Sequence, residues 1–194
     1  MKKKILVNKF EIKEVLPCLT TSGYIRFTAQ ADHRIDDVIP IIFIKTPPGK
    51  ANYIEQNNSI TLRMDNRNVT LFASGKIGVT NTPDLEAAKQ YLEDKIKPLI
   101  NDAYNDFLQK GKPDPKEIKI KKKSSWMELY NYLPKTNCGK CGYPTCSSFA
   151  VSVFQGDAKL SQCLLLQEPK YVINLENMVK KFGRMFVISL GYNL

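Results

Sequence analysis

SITLRMDNRNVTLFASGKIGVT, Ser59 to Thr80, decides how the front of this chain is read. Apolar and polar residues alternate through SITLRMD (Ser59–Asp65), VTLFA (Val69–Ala73) and KIGVT (Lys76–Thr80), so each run offers one side to a core and the other to water. The breaks DNRN and SG are turn chemistry, short enough to fold the runs back on one another. An antiparallel meander of three strands is expected.

Downstream, TNTPDLEAAKQYLEDKIKPLINDAYNDFLQ changes period. Leu85, Ala88, Tyr91/Leu92, Lys95/Ile96 and Leu99 recur at helical spacing. Thr82 is the expected N-cap with Pro83 at the first helical position, and Pro98 should kink the helix. Upstream, GYIRFTAQA (Gly23–Ala31) reads as a strand. IPIIFIK (Ile39–Lys45) is either a strand or the end of a short helix begun at Asp36. The Pro-Pro-Gly of TPPGK then makes a turn. Residues 1–110 are therefore expected to form one α+β domain, an antiparallel sheet with a long packing helix.

The phrase VTLFASGKIGVTN (Val69–Asn81), followed by a long helix containing AAKQYLEDKI, resembles one lobe of the TATA-binding-protein fold. That resemblance implies a single lobe serving as a docking or scaffold domain. The saddle of the DNA-binding member needs two lobes, and minor-groove binding works through apolar wedges. Phe72 is the one candidate wedge here, and its plain reading is a sheet residue.

GKPDPKEIKIKKKSS (Gly111–Ser125) holds two prolines, six lysines and little to bury, and reads as a flexible linker over 111–125. Behind it, residues 126–194 form a second module. WMELYNYLP (Trp126–Pro134) is a short helix with Trp126, Leu129, Tyr130 and Leu133 on one face. SSFAVSVFQG is a helix ending on a Gly C-cap, and NLENMVKKFGRMF adds a last one.

Between the first two of these helices lies NCGKCGYPTC, Asn137 to Cys146, with SQC closing at Cys163. Four of the five cysteines fall here as Cys138-x2-Cys141-x4-Cys146-x16-Cys163. Thiolates are soft ligands for zinc or iron. A CxxC pair converges on one centre, and Gly139 and Gly142, each after a cysteine, suit positive φ and close approach of amides to sulfur. Cys146 should open a helix whose N-terminus favours a thiolate. A zinc site prefers two knuckles or supporting histidines; His33 lies in the other domain and reads as an exposed turn residue. A disulfide is disfavoured in a reducing compartment. Spacing alone leaves zinc and iron–sulfur both open, leaning to the latter. Cys18 reads as a buried structural thiol.

LPKTNCGKCGYPTCSSFAVSVFQGDAKLSQC closely resembles the four-cysteine [4Fe–4S] domain of the corrinoid iron–sulfur protein large subunit, found also in the B subunit of the Rnf electron-transport complex. The shared residues are Leu133, Pro134, Asn137, Cys138, Gly139, Cys141, Gly142, Cys146, Phe149, Ala150, Gly156 and Cys163. The resemblance implies that Cys138, Cys141, Cys146 and Cys163 hold one [4Fe–4S] cluster, with zinc the runner-up. It implies an anaerobic setting in one-carbon or corrinoid metabolism. The barrel, cobalamin-binding domain, membrane helix and ferredoxin-type clusters of those hosts find no counterpart in the sequence, so their reactions are not carried over.

Composition bounds the rest. An apolar content of 43% with 25% charged residues is that of a globular protein. The opening lacks a signal-peptide core and no apolar run reaches membrane length, so a cytoplasmic protein is expected. Residues 1–110 carry 16 Lys/Arg against 13 Asp/Glu, whereas 111–194 carry 13 against 6, so the cysteine half is the one suited to an acidic partner. Lys135, Lys140 and Lys159 beside the motif either guide such a partner or are plain surface charge. No nucleophile–base pair, phosphate loop or carboxylate dyad stands out, and a four-cysteine cluster leaves no open coordination site. The expected role is an electron relay or redox-responsive accessory of a larger redox or corrinoid-type enzyme, with no catalytic centre of its own. The rival is a nucleic-acid-binding regulator using Arg63, Arg67, Phe72, Lys76 and the lysine-rich stretch.

Overall fold

The computed structural model describes residues 3–193. Packing divides the chain into two compact units. One comprises the residues up to Phe43 together with Ala51–Pro113; the other comprises Ile44–Lys50 together with Asp114 onward.

The first unit is a six-stranded antiparallel sheet with helices, an α+β fold. Its strands are β1 (Phe10–Pro17), β2 (Ile25–Ala31), β3 (Ala51–Ile54), β4 (Ser59–Met64), β5 (Arg67–Phe72) and β6 (Lys76–Thr82), in spatial order β1-β2-β6-β5-β4-β3. The meander expected from the alternation is β4-β5-β6. Its register aligns Phe27, Val79, Val69 and Leu62 in one row across four strands, and Ala29, Ile77, Leu71, Ile60 and Tyr53 in the next across five. All of these are buried, because a period of two puts every second residue on the core face.

IPIIFIK resolves as helix α1 (Ile39–Lys45), not a strand. After β6 come α2 (Leu85–Tyr91) and α3 (Lys97–Lys110), joined by one π-helical turn over Leu92–Ile96. Their buried side chains are Ala88, Tyr91, Leu92, Ile96, Ile100 and Ala103. Pro98, where a kink was expected, stands in the first turn of α3 just past that π-helical turn, in which Lys97 N–H reaches back to the Leu92 carbonyl. The N-cap is Asp84, not Thr82. Asp84 Oδ1 accepts from Ala87 N–H at 2.8 Å, while Thr82 is the buried last residue of β6. Asn101 on α3 pins the N-terminal segment, its Oδ1 accepting from Leu6 and Val7 N–H at 2.8 and 3.0 Å and its amide donating to the Val7 carbonyl.

The second unit is helical. The stretch 111–125, expected as a linker, contains α4 (Pro115–Lys123). Asp114 caps it by accepting from Lys116 N–H at 2.8 Å, Pro115 opens it, and three lysines sit in its last turn, each favourable at that helix position. One of those lysines has much to bury. Lys121 is 2% exposed; its ammonium donates to the carbonyls of Ile44 (2.7 Å) and Thr46 and lies 3.4 Å from the Ser189 hydroxyl. Burial pulls its pKa down to about 7.

Next come α5 (Trp126–Tyr130), α6 (Cys146–Gln155), α7 (Val172–Phe182) and α8 (Arg184–Ser189). The expected last helix is thus two, broken at Gly183 where φ is 90°. Leu129, Leu133, Phe149, Val153, Leu160, Leu166, Met178, Phe182 and Phe186 form the unit's core, with Phe182 and Phe186 stacked at 4.7 Å between ring centroids. Trp126, expected on the buried face of its helix, is instead 36% exposed at the first position of α5. Among the described residues no helix is long and apolar enough to cross a membrane.

Candidate metal centre

Two capped helices and an irregular loop present the four cysteines. Leu129 and Leu133 bury the end of the α5 segment, and the chain then leaves regular structure until Thr145. Thr145 caps α6 reciprocally with Ser148: the Thr145 hydroxyl accepts from Ser148 N–H at 3.1 Å, and the Ser148 hydroxyl faces Thr145 N–H at 3.4 Å. Cys146 is therefore the first residue of α6, as the sequence predicts. Gly156 ends the helix in the left-handed region with φ 77°. A short 3-10 turn, Leu160–Gln162, then delivers Cys163.

The loop between the helices is held by its own chemistry. Asn137 sits at φ 50° and its Oδ1 accepts from Cys146 N–H at 2.8 Å. That bond ties the entry of the loop to its exit and occupies one of the free amides of the α6 N-terminus. Gly139 and Gly142 have φ of 70° and 88°, the values anticipated for glycines after cysteine, and Gly142 N–H donates to the Gly139 carbonyl at 2.9 Å. A Cβ at either glycine would meet nothing within 4 Å. Their requirement is one of backbone angle, not of space.

All four cysteines predicted as site residues line one hollow, together with Pro134, Asn137, Tyr143, Phe149, Leu164 and Leu165. Cys146 and Cys163 are each 8% exposed, Cys141 is half-buried and Cys138 is exposed. Among the described residues no three His, Cys, Asp or Glu side chains converge as they would on a single bound ion. What the hollow offers is a set of four soft donors with apolar walls. Tyr143 packs on Phe149 with ring centroids 5.5 Å apart. Among the described residues no histidine or carboxylate lines it, and an all-thiol donor set suits iron–sulfur or zinc among the biological metals.

The thiols differ electrostatically. Lys140 N–H, then the Thr136 hydroxyl, hold the Cys138 thiol below the usual range. Burial pushes Cys163 up, followed among the opposing causes by the Leu166 N–H, and with Cys141 and Cys146 adding to the upward shift. Those backbone donors were not apparent in the sequence, and neither was the role of Asn137. Only the Asn-Cys-Gly order hinted that a side chain sits one residue ahead of the first thiol.

The fifth cysteine is elsewhere. Cys18, expected as a buried thiol, is half-buried just past β1, its Sγ 3.5 Å from the Thr20 hydroxyl. Bonds from the Thr20 hydroxyl and then backbone amides draw its pKa down to about 6. His33 is exposed beside Asp32, 3.2 Å away, as a turn residue.

Residues 133–165 match the family model described as "Putative Fe-S cluster". This segment is similar to an iron–sulfur domain. The chain is 44% identical over 59 residues to the acetyl-CoA decarbonylase/synthase complex subunit gamma of Methanocaldococcus jannaschii, covering 30% of this chain and 12% of that protein. It is 45% identical over 72 residues to subunit gamma 1 of the same complex from Methanosarcina thermophila, covering 35% and 15%. It is 51% identical over 37 residues to the corrinoid/iron-sulfur protein large subunit of Moorella thermoacetica, covering 19% and 8%. The chain thus spans 15% or less of the length of each of these three relatives. No solved structure matches the chain.

Proposed function

We propose that Cys138, Cys141, Cys146 and Cys163 together hold one [4Fe–4S] cluster, and that the chain is an electron relay or redox-responsive accessory of a larger corrinoid or one-carbon enzyme in an anaerobe. The observation that carries this is the gathering of four thiols from a 26-residue stretch onto one hollow within the segment matched as iron–sulfur. A cluster of this kind supplies reversible one-electron transfer. The chain's own residues do the rest. Asn137 fixes the approach of loop to helix, the two glycines let the Cys138–Cys141 turn close, and backbone N–H groups beside Cys138 and Cys163 stabilise thiolate charge. Tyr143, Phe149 and Leu165 keep water from the inner wall. Names of relatives point to the partner class, a multi-subunit acetyl-CoA decarbonylase/synthase or a corrinoid protein.

Anaerobic purification tests the reading directly. Expected are a brown protein, about four irons and four sulfides per chain and an EPR signal on reduction. Zinc in place of iron, or an unaltered cluster in Cys146→Ala, defeats it.

The nucleic-acid reading has one supporting observation. By strand register Arg63, Phe72 and Lys76 share the sheet face opposite the core rows. Arg67 is on the other face, its guanidinium 4.5 Å from the Tyr91 ring. A duplex-DNA mobility shift that falls steeply with salt tests it.

A further inference from the structure

The outer wall of the cysteine hollow is built unlike the rest of its surroundings. Residues 135–140 are all exposed, and this run carries Lys135, Lys140 and the exposed Cys138. No Asp or Glu occurs between Glu128 and Asp157, nor between Asp157 and Glu168. Asp157 itself lies 3.3 Å from Lys50. The Lys135 ammonium rests 5.0 Å over the Tyr130 ring and 3.5 Å from the Asn131 side-chain oxygen. It is steadied there by a ring face and an amide oxygen, with no ion pair to a carboxylate among the described residues. Lys140 lines the hollow itself.

One apolar side chain completes the wall. Leu164 follows buried Cys163 and precedes buried Leu165, yet it is 54% exposed. The 3-10 turn Leu164–Gln167 turns it outward while Leu165 and Leu166 turn in. Leu164 also lines the hollow. An exposed leucine costs hydration free energy that burial in a partner would recover. An apolar centre with a charged rim is the anatomy of a short-lived protein interface, and a cationic rim selects an anionic partner and speeds its encounter. The whole unit is tuned the same way, with 14 Lys/Arg against 6 Asp/Glu over Ile44–Lys50 and Asp114 onward.

We infer that this wall is the docking face for an acidic electron-transfer protein, with Lys140 and Lys135 meeting its carboxylates and Leu164 seated at the contact centre. The inference rests on the relay reading above and adds the partner's chemistry. In the encounter one electron leaves the reduced partner and is gained by this chain.

The test uses the full chain, purified anaerobically with its metal, and a reduced acidic [2Fe–2S] ferredoxin as probe. Stopped-flow absorbance at low salt should give a second-order rate about tenfold lower for the double variant Lys135→Glu/Lys140→Glu, with most of the salt dependence gone. Leu164→Ser should lower it several-fold. The double control Lys89→Glu/Lys110→Glu, on α2 and α3 of the sheet unit, changes net charge equally and should leave the rate unchanged. Reduction by the methyl viologen radical cation should not be slowed by either lysine change. Carbodiimide cross-linking should join Lys140 or Lys135 to ferredoxin carboxylates, as mapped by mass spectrometry. Unchanged ferredoxin rates and cross-links in the double variant, with iron content and EPR intact, overturn the docking face and leave the relay standing. A chain that accepts no electron from either donor removes both.

Discussion

The two units of this chain stabilise their architecture by different means. The sheet unit rests on rows of aliphatic residues, Phe27–Val79–Val69–Leu62 and Ala29–Ile77–Leu71–Ile60–Tyr53, that need no cofactor to be buried. The cysteine unit has a real but smaller core around Phe149, Phe182 and Leu166. Its functional loop lies outside that core. Lys135, Asn137, Gly139 and Gly142 all have positive φ, and residues 135–140 are exposed. Such a loop has little apolar burial to set against its conformational entropy, whereas metal binding contributes folding free energy where the ligands lie. One unit is thus held by its own apolar rows, and the other pairs a packed helical frame with a loop that, on the proposed function, would depend on the group it holds.

The sharpest break of that contrast is Cys146→Ala. Iron content should fall to near zero, and hydrogen exchange should rise across 135–145 while the amides of β5 and β6 keep their protection. Loss of protection in β5 and β6 would show that the sheet unit leans on the metal after all. Next in size is Phe149→Ala, which should cost about 3–5 kcal/mol in the cysteine unit. Denaturant titration followed by Trp126 fluorescence, the chain's one tryptophan, should report it.

The pH dependence of that same transition sharpens the comparison. Lys121 has a folded pKa of about 7 against an ordinary value of 10.5, burial being the cause. Between those values the unfolded state binds the extra proton, so stability should rise as pH increases from about 7 toward 10, by at most about 1.4 kcal/mol per pH unit. Lys121→Met should flatten that slope, and a slope of opposite sign would refute the assignment.

Gly142→Ala forces a Cβ into φ 88° with open space around it. A cost of about 1–2 kcal/mol is expected, seen as faster iron loss to a chelator, whereas an unchanged rate would mean the loop does not need that angle. Smallest is Asp84→Ala in the sheet unit, about 1 kcal/mol for a lost N-cap bond, and it should leave iron retention untouched.

What the sequence disclosed follows the same division. The meander was legible because period-two alternation survives wherever one face is buried. β1 was not, because FEIKEVLP is exposed along most of its length and carries little pattern. β3 has four residues and buries one of them. The helix after β6 was legible but its cap was misplaced. The cap falls on Asp84, two residues past the expected Thr82, because strand pairing with Ile25 keeps Thr82 in the sheet. The lysine-rich stretch misled more. Six lysines argued for solvent, yet the long apolar stem of Lys121 packs inside once backbone carbonyls receive its ammonium. At the cysteine hollow the spacing pointed to the four thiols that line it and to Cys146 starting a helix. It did not disclose the Asn137 bond or the Leu166 amide beside Cys163, since main-chain donors have no letter in a sequence.

The π-helical turn at Leu92–Ile96 sets a counting rule for this chain. One residue more than an α-turn holds shifts everything beyond it by about 100° around the helix axis. Ile100 and Ala103 face the core, and Asn101 reaches the backbone of Leu6 and Val7, only with that extra residue in place. Deleting a single residue from the turn would relieve a local irregularity and yet swing that whole stripe away from its partners. The N-terminal segment is therefore fastened through the register set by a turn about 90 positions downstream, since the Asn101 bonds to Leu6 and Val7 lie just beyond it.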